Sequence, residues 1–401
     1  MIKGNAVIGQ SGGPTSVINS SLAGVITAAR ASGIISGVYG MNYGIEGLMN
    51  EWLFDLGAQP DDIIRGLRRT PSSALGSSRH KLKEEDFPRI LSILEKYDIR
   101  YFFLIGGNDT MDTIHRVEAY CRDRGYELTG VGIPKTVDND LFGTDHTPGF
   151  ASAAWSNILN VMQGGMLARD MKKVDQFVVY QTIGRDAGWL AAATAVARRE
   201  EDDAPHLIYT PEHHFVKEQF LADVDHCITR YGWVSVVCGE GIKYADGSPV
   251  SASVVKDKFS NTEFGAMGGA SVGLTLHRMI SSEMGLRGEF QITESLIMSD
   301  FVRALPVDLD EAYRCGIEAV RLAERGESGF MVSIDRASDD PYEVTFGKVP
   351  LSEVAIAARP MPAEYFNASG NFVTDAFMRY MKPLTGELPD FVKLKKIMVL
   401  K

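Results

Sequence analysis

Seven consecutive residues, Pro134-Lys135-Thr136-Val137-Asp138-Asn139-Asp140, bring together a lysine, a hydroxyl, an amide and two carboxylates. Upstream stands a second polar cluster, Gly106-Gly107-Asn108-Asp109-Thr110. Carboxylate and amide oxygens suit hard Mg²⁺, which keeps waters and substrate phosphate oxygens in its shell. Phosphoryl transfer needs positive charge on the phosphates, a metal, and a base for the attacking hydroxyl. One aspartate of the pair can be that base while the other orients it or the metal. In an extended segment Asp138 and Asp140 share a side, whereas Lys135 need not. Asn108 and Asp109 also fit a plain helix N-cap. A plain charged loop is the poorer reading of Lys135–Asp140, because an apolar run leads straight into it.

Four further pieces carry compatible chemistry. Gln10-Ser11-Gly12-Gly13-Pro14-Thr15 joins an apolar run to a helical pattern, and such glycines let backbone amides approach an anion. No GKS or GKT follows and no GxGxxG is present, so neither the Walker loop nor the dinucleotide fingerprint is matched. Leu75-Gly76-Ser77-Ser78-Arg79 puts an arginine after a flexible turn, and Ile183-Gly184-Arg185 puts another between strand and helix. Both suit clamping a transferring phosphoryl group. Cys238-Gly239-Glu240-Gly241 closes another apolar run with an acid able to accept sugar hydroxyls.

The elements that must hold these residues alternate along the chain. Strands are expected at 6–8, 101–105 and 128–133, then at 177–180, 207–209 and 233–238. Helices are expected from about Thr15, over 111–124 with Gly125 as stop, over the alanine-rich 188–199, and over 215–231. Thr15 or Ser16 caps the first. This order implies an α/β fold of parallel, doubly wound sheets. In such sheets ligands bind outside the carboxyl ends of the strands, where the polar clusters fall. Segments 240–269 and 338–342 are expected to be surface loops, and 360–401 a mixed tail closing a second domain.

At 401 residues, two domains are expected. A net charge of −11 argues against nucleic acid or an anionic membrane as partner. There is no apolar leader and no stretch of about 20 apolar residues, so a cytoplasmic protein is expected. Cys121, Cys227, Cys238 and Cys315 lie far apart and read as buried thiols rather than disulfides or zinc ligands.

Taken together and in order, SGGP, LGSSR, GGNDT, PKTVDND, IGRDAGW and EG resemble the phosphofructokinase family, specifically its pyrophosphate-dependent members. The resemblance covers most of the chain. It implies two doubly wound Rossmann-like domains, each discontinuous, with the active site between them. Residues 1–148 with about 297–350 would bind the donor, and 149–296 with about 351–401 the acceptor. It makes Asp138 the base toward a sugar hydroxyl, with Thr136 and Asp140 holding that hydroxyl and the metal region. Arg185 and Arg79 would stabilise transition-state charge, and Lys135 would act with them. Gly13, Gly107, Asp109 and Lys135 would bind the donor, and Asn108 and Asp109 the Mg²⁺. Ile183, Gly184, Arg185 and Glu240 would line the acceptor site. In ATP-using relatives the positions of Asp109 and Lys135 are glycines and that of Asn42 a stacking tyrosine, so pyrophosphate is the expected donor. A sugar phosphate, by default fructose 6-phosphate, is the expected acceptor, and a homo-oligomer, dimer or tetramer, the expected assembly.

The chain also departs from the family. Where relatives grip the sugar 6-phosphate with a glycine-tyrosine-x-glutamine-arginine stretch, it reads Ser295-Leu296-Ile297-Met298-Ser299-Asp300. The arginine position is Met298, and the cation nine residues before Arg185, lent by a neighbouring subunit in the family, is Gln176. Arg287, Lys172, Lys173 and Arg303 are the candidate replacements. Another sugar, sugar phosphate or polyol is therefore an alternative acceptor. A non-catalytic regulatory paralogue is the competing class, and a solute-binding protein a third that offers no reason for PKTVDND.

Overall fold

The computed structural model describes residues 2–78, 80–251, 271–392, 394, 395, 397 and 399. Strands β1 (Gly4–Gln10), β2 (Ile35–Met41) and β3 (Leu53–Asp55) are followed by β4 (Ile99–Gly106) and β5 (Thr129–Pro134). Next come β6 (Phe177–Thr182), β7 (Leu207–Tyr209), β8 (Val234–Gly239) and β9 (Gly288–Ile292), then β10 (Phe330–Asp339) and β11 (Tyr342–Pro350). They form a seven-stranded sheet in the order β11-β10-β5-β4-β1-β2-β3 and a four-stranded sheet in the order β7-β8-β6-β9.

Apolar runs become central strands because both faces are covered. In β4, Tyr101, Phe103 and Ile105 join one buried cluster with the helix Ile18–Ala31, while Phe102 and Leu104 join another with the helix Phe87–Lys96. Burying each such large side chain contributes about 1.5–3 kcal/mol. The small sheet is built the same way, with Val178 and Tyr180 on one face and Phe177 and Val179 on the other. The first helix begins at Ile18, later than the expected start near Thr15, and Val17 takes the cap position; Thr15 still serves the helix start, its Oγ1 accepting from the N–H of Ile18 at 3.1 Å. All four cysteines are free and buried.

The expectation of wholly parallel sheets needs correcting at both edges of the large one. β3 runs antiparallel to β2, and β11 antiparallel to β10. Segment 338–342, expected as a loop, is mostly strand: Ser338 pairs with Glu343 and Asp339 with Tyr342 across a hairpin. Tight hairpins keep the polar composition of a loop while the backbone stays paired. The alanine-rich stretch 188–199 is also not one helix but Trp189–Ala193 followed by a 3₁₀ turn, Thr194–Ala197. Of the expected loop at 240–269, residues 252–269 lie outside the described ones.

After β9 the chain returns to the large sheet for β10 and β11. The tail then packs Phe377, Tyr380 and Met381 into the core beside Trp189. Among the described residues no helix is long and apolar enough to cross a membrane.

Candidate functional site

In the large sheet the chain leaves β1 toward β2 on one side, while β4 leads to β5 on the other. The carboxyl ends of β1 and β4 therefore flank a topological switch point, where open α/β sheets bind ligands. A crevice of about 870 Å³ lies there. Gly12 and Gly13 reach it from β1, and Gly107, Asn108 and Asp109 from β4. Lys135, Thr136, Asp138 and Asp140 reach it from β5. The opposite wall comes from the carboxyl ends of the small sheet: Ile183, Gly184 and Arg185 after β6, Glu240 after β8, and Glu294 after β9. Every expected site residue that is described thus lines one crevice; Arg79 lies outside the described residues.

The turn carrying the two aspartates is held from far along the chain. Asn139 sits between them at φ 58°, the left-handed region that asparagine tolerates better than most residues. Its side chain is buried, donating to the Tyr380 hydroxyl at 3.0 Å and accepting from the N–H of Thr147 at 3.0 Å. Arg359 donates twice to the Asn139 carbonyl, at 3.2 and 3.0 Å, and to the Thr144 carbonyl at 3.0 Å. Its own N–H donates to the Asp140 carbonyl at 2.7 Å, and its guanidinium lies 4.2 Å from the Trp189 ring centroid. Arg359 is 220 residues from Asn139, and no local motif marks it. Next to this turn, His146 is buried between Asp145 (2.7 Å) and Glu311 (2.6 Å). Burial alone would lower its pKa, but those two carboxylates raise it to about 9, so it is a cation at neutral pH.

Charge in the crevice is arranged for proton and phosphoryl chemistry. Burial first, and then the Asp140 charge, push the Asp138 carboxyl up to about 6 against the pull of Arg185 and Lys135. Asp140 is raised too, chiefly by burial. Thr136 Oγ1 accepts from the Asp138 N–H at 3.1 Å, so its hydroxyl is partly spent on shaping the turn. Glu240 is pushed by burial to about 7, although its Oε1 accepts from the N–H groups of Gly184 (3.1 Å) and Arg185 (2.9 Å). These bonds help hold Arg185 at φ 52°. A Cβ on Gly241 would lie 1.8 Å from the Arg185 carbonyl oxygen, so only glycine lets the two turns meet.

Beside the turn after β1, Lys135 is buried, 3 % exposed, and its ammonium donates to the Gly13 carbonyl at 2.9 Å. Asp109 is exposed on the same crevice. Asn108 spends its amide N–H groups on the carbonyls of Val354 (2.9 Å) and Ala357 (3.1 Å), which leaves its oxygen as the group it can offer. Among the described residues no cluster of three or more His, Cys, Asp or Glu could hold a metal alone. An all-oxygen set with few carboxylates fits Mg²⁺ that shares substrate phosphates better than it fits a caged ion. Asn42 is not among the crevice residues; its N–H donates to the Trp52 carbonyl in the turn after β2.

Met298 lines the crevice from the 3₁₀ turn Glu294–Ser299, and a Cβ on Gly13 would lie 2.3 Å from its Cε. The end of the Met298 side chain thus packs directly against the backbone of Gly13.

A model of the phosphofructokinase family matches residues 5–322. The pyrophosphate–fructose 6-phosphate 1-phosphotransferase of Halomonas elongata is 36% identical over 99% of this chain and 97% of its own. The sulfofructose kinase of Alkalicoccus urumqiensis is 33% identical over 87% of this chain and 88% of its own. The crystal structure of pyrophosphate-dependent phosphofructokinase from Marinobacter aquaeolei superposes with a TM-score of 0.86 at 34% identity, covering 100% of this chain and 98% of that one. Sequence match and superposition agree along the whole length, and the chain belongs to the phosphofructokinase family.

Proposed function

We propose that this protein transfers a phosphoryl group reversibly from pyrophosphate to the 1-hydroxyl of fructose 6-phosphate. The observation that carries this reading is the meeting of Asp138, Lys135 and Arg185 in one crevice at the switch point of the large sheet. Asp138, with its carboxyl raised to about 6, is deprotonated at neutral pH yet basic enough to take the hydroxyl proton. Arg185, from the opposite wall, meets the charge developing on the transferring phosphoryl group. Lys135 neutralises the bare donor, and Asp109 crowds and repels the α-phosphate of a nucleotide. Asn108 and Asp109 would hold a Mg²⁺ ion, which would supply positive charge to neutralise the donor phosphates. Asp140 and Thr136 orient the acceptor hydroxyl, while Glu240 positions the Arg185 turn.

In this reading the large-sheet unit, 1–148 with about 297–350, presents the donor, and 149–296 with about 351–401 the acceptor. A homo-oligomer belongs to the same reading. Exposed Leu167, Met171 and Val174, near the end of the helix Phe150–Met171, are apolar surface that a second copy would cover. The relatives' names differ in the acceptor, fructose 6-phosphate in one and sulfofructose in another, so that end of the site is the variable one. The direct test is purified protein with fructose 6-phosphate and either Mg-pyrophosphate or Mg-ATP. Fructose 1,6-bisphosphate should form with the first. Product from ATP and none from pyrophosphate would refute the donor, and no single-turnover transfer from either would favour a regulatory paralogue.

A further inference from the structure

The chain that follows the turn of Asp138 and Asp140 runs back beside it before the helix Phe150–Met171 begins. Thr147 ties the two together: its N–H donates to Asn139 Oδ1 at 3.0 Å and its hydroxyl to the Thr136 carbonyl at 2.7 Å. Whatever fixes residues 144–147 therefore fixes the two aspartates as well. His146 stands in that segment, fully buried, and does not line the crevice.

Its Nδ1 lies 2.7 Å from Asp145 Oδ2 and its Nε2 lies 2.6 Å from Glu311 Oε2. An ionised carboxylate only accepts, so both ring nitrogens must donate and the ring carries both protons. A neutral ring turns a lone pair toward one of those oxygens and releases that contact. The elements around it bring further charge and hydroxyls. From β10, Arg336 donates to the same Asp145 oxygen at 3.1 and 2.9 Å and to the Tyr380 carbonyl at 2.9 Å. From β11, the Tyr342 hydroxyl donates to Glu311 Oε1 at 2.7 Å. From the tail, the Tyr380 hydroxyl donates to the Asp145 carbonyl at 3.0 Å, and Arg359 donates to the same carbonyl. Asp308, one turn before Glu311 in the helix Pro306–Glu324, accepts from the N–H groups of Gly149 and Ser152, each at 2.9 Å. Among the described residues His146 is the only cation paired with Glu311.

We propose that His146 is a positioning residue for the transfer: as an imidazolium it clamps Asp145 to Glu311 and so holds, through Thr147 and Asn139, the turn that presents Asp138 to the acceptor hydroxyl. This role rests on the pyrophosphate-transfer reading. Burial opposes the charge, yet the two carboxylates raise the ring's pKa to about 9, and that value sets where the clamp opens. Its contribution is complete below the ordinary value of 6.5 and is lost as pH rises through about 9.

The test follows kcat and KM for fructose 6-phosphate with Mg-pyrophosphate from pH 6.5 to pH 10. Wild-type kcat should fall through about pH 9 while KM changes less than about threefold. Glu311→Gln keeps the shape but removes one counter-charge, and should move that fall about one pH unit or more lower. His146→Gln reaches only one of the two carboxylates, and should lower kcat ~30-fold and abolish the fall. A fall that stays in place in Glu311→Gln overturns the role, as does near-normal kcat in a folded His146→Gln protein. Should either variant not fold, proton–nitrogen NMR of histidine-labelled wild type decides. One ring protonated on both nitrogens at pH 8 and titrating together with kcat is expected, and only singly protonated rings at pH 8 overturn the clamp. A wild type that shows this signal but transfers nothing from pyrophosphate refutes the transfer reading and leaves the clamp standing.

Discussion

Replacing Asp138 by asparagine should make the protein more stable and nearly inactive, with both effects arising from one buried charge. In the folded protein the Asp138 carboxyl is pushed from 3.8 up to about 6, by burial and by Asp140. At about 1.4 kcal/mol per pKa unit, holding it ionised above pH 6 costs the fold roughly 3 kcal/mol. The sign is set by linkage: the folded state binds this proton more tightly than the unfolded chain does, so stability falls as pH rises from about 4 to about 6. Asp138→Asn abolishes that loss. Its amide must still find partners, so a gain of ~1–3 kcal/mol at pH 8, fading to near zero at pH 4, is expected. Urea unfolding of both proteins at the two pH values measures it. Turnover with Mg-pyrophosphate should fall ~100-fold or more, about 2.7 kcal/mol of barrier. The wild-type kcat/KM should rise with pH through about 6 as the base deprotonates. A variant no more stable than wild type at pH 8, or equally shifted at both pH values, would refute the buried-charge argument. Near-normal turnover would remove the base assignment.

Arg359→Ala frees the carbonyls of Asn139 and Thr144 and should lower kcat ~100-fold with a smaller change in KM, because misplacement of the turn by ~1 Å is felt mainly in the chemistry. Arg359→Lys should recover only part of this, since an ammonium lacks the planar fork that spans those carbonyls; full recovery would mean that charge alone suffices. Changing Asp109 and Lys135 together to glycine should weaken pyrophosphate use, and unaltered pyrophosphate kinetics in the double variant would count against their donor role. Gly241→Ala, with its Cβ 1.8 Å from the Arg185 carbonyl oxygen, should destabilise the protein by ~1–3 kcal/mol and reduce turnover by displacing Arg185; unchanged unfolding and kinetics would show that the two turns separate freely.

Much of the site was legible because its chemistry sits in short segments directly after strands. Apolar runs such as Tyr101–Ile105 announce a central strand by their hydrophobicity, and the polar residues next in the chain must lie at its carboxyl end. The edges were less legible. β3 is three residues long and β11 alternates between solvent and sheet, so neither carries the continuous apolar run that marked the centre. The 3₁₀ turn Glu294–Ser299 carries no period that could have placed Met298 against Gly13.

From the order of residues alone came the α/β class, the family, and the cluster Lys135–Asp140 with its phosphoryl-transfer chemistry, since local hydrophobicity and residue type suffice for these. Only the folded chain decided that Arg359 and Tyr380 grip the turn of Asp138 and Asp140. It also decided that Glu240 braces Arg185, and that Glu212, Glu240, Glu294 and Met298 meet on the crevice wall opposite Asp138. Contacts between residues up to 241 positions apart leave no periodic trace in either segment, because each partner satisfies only the other, across space.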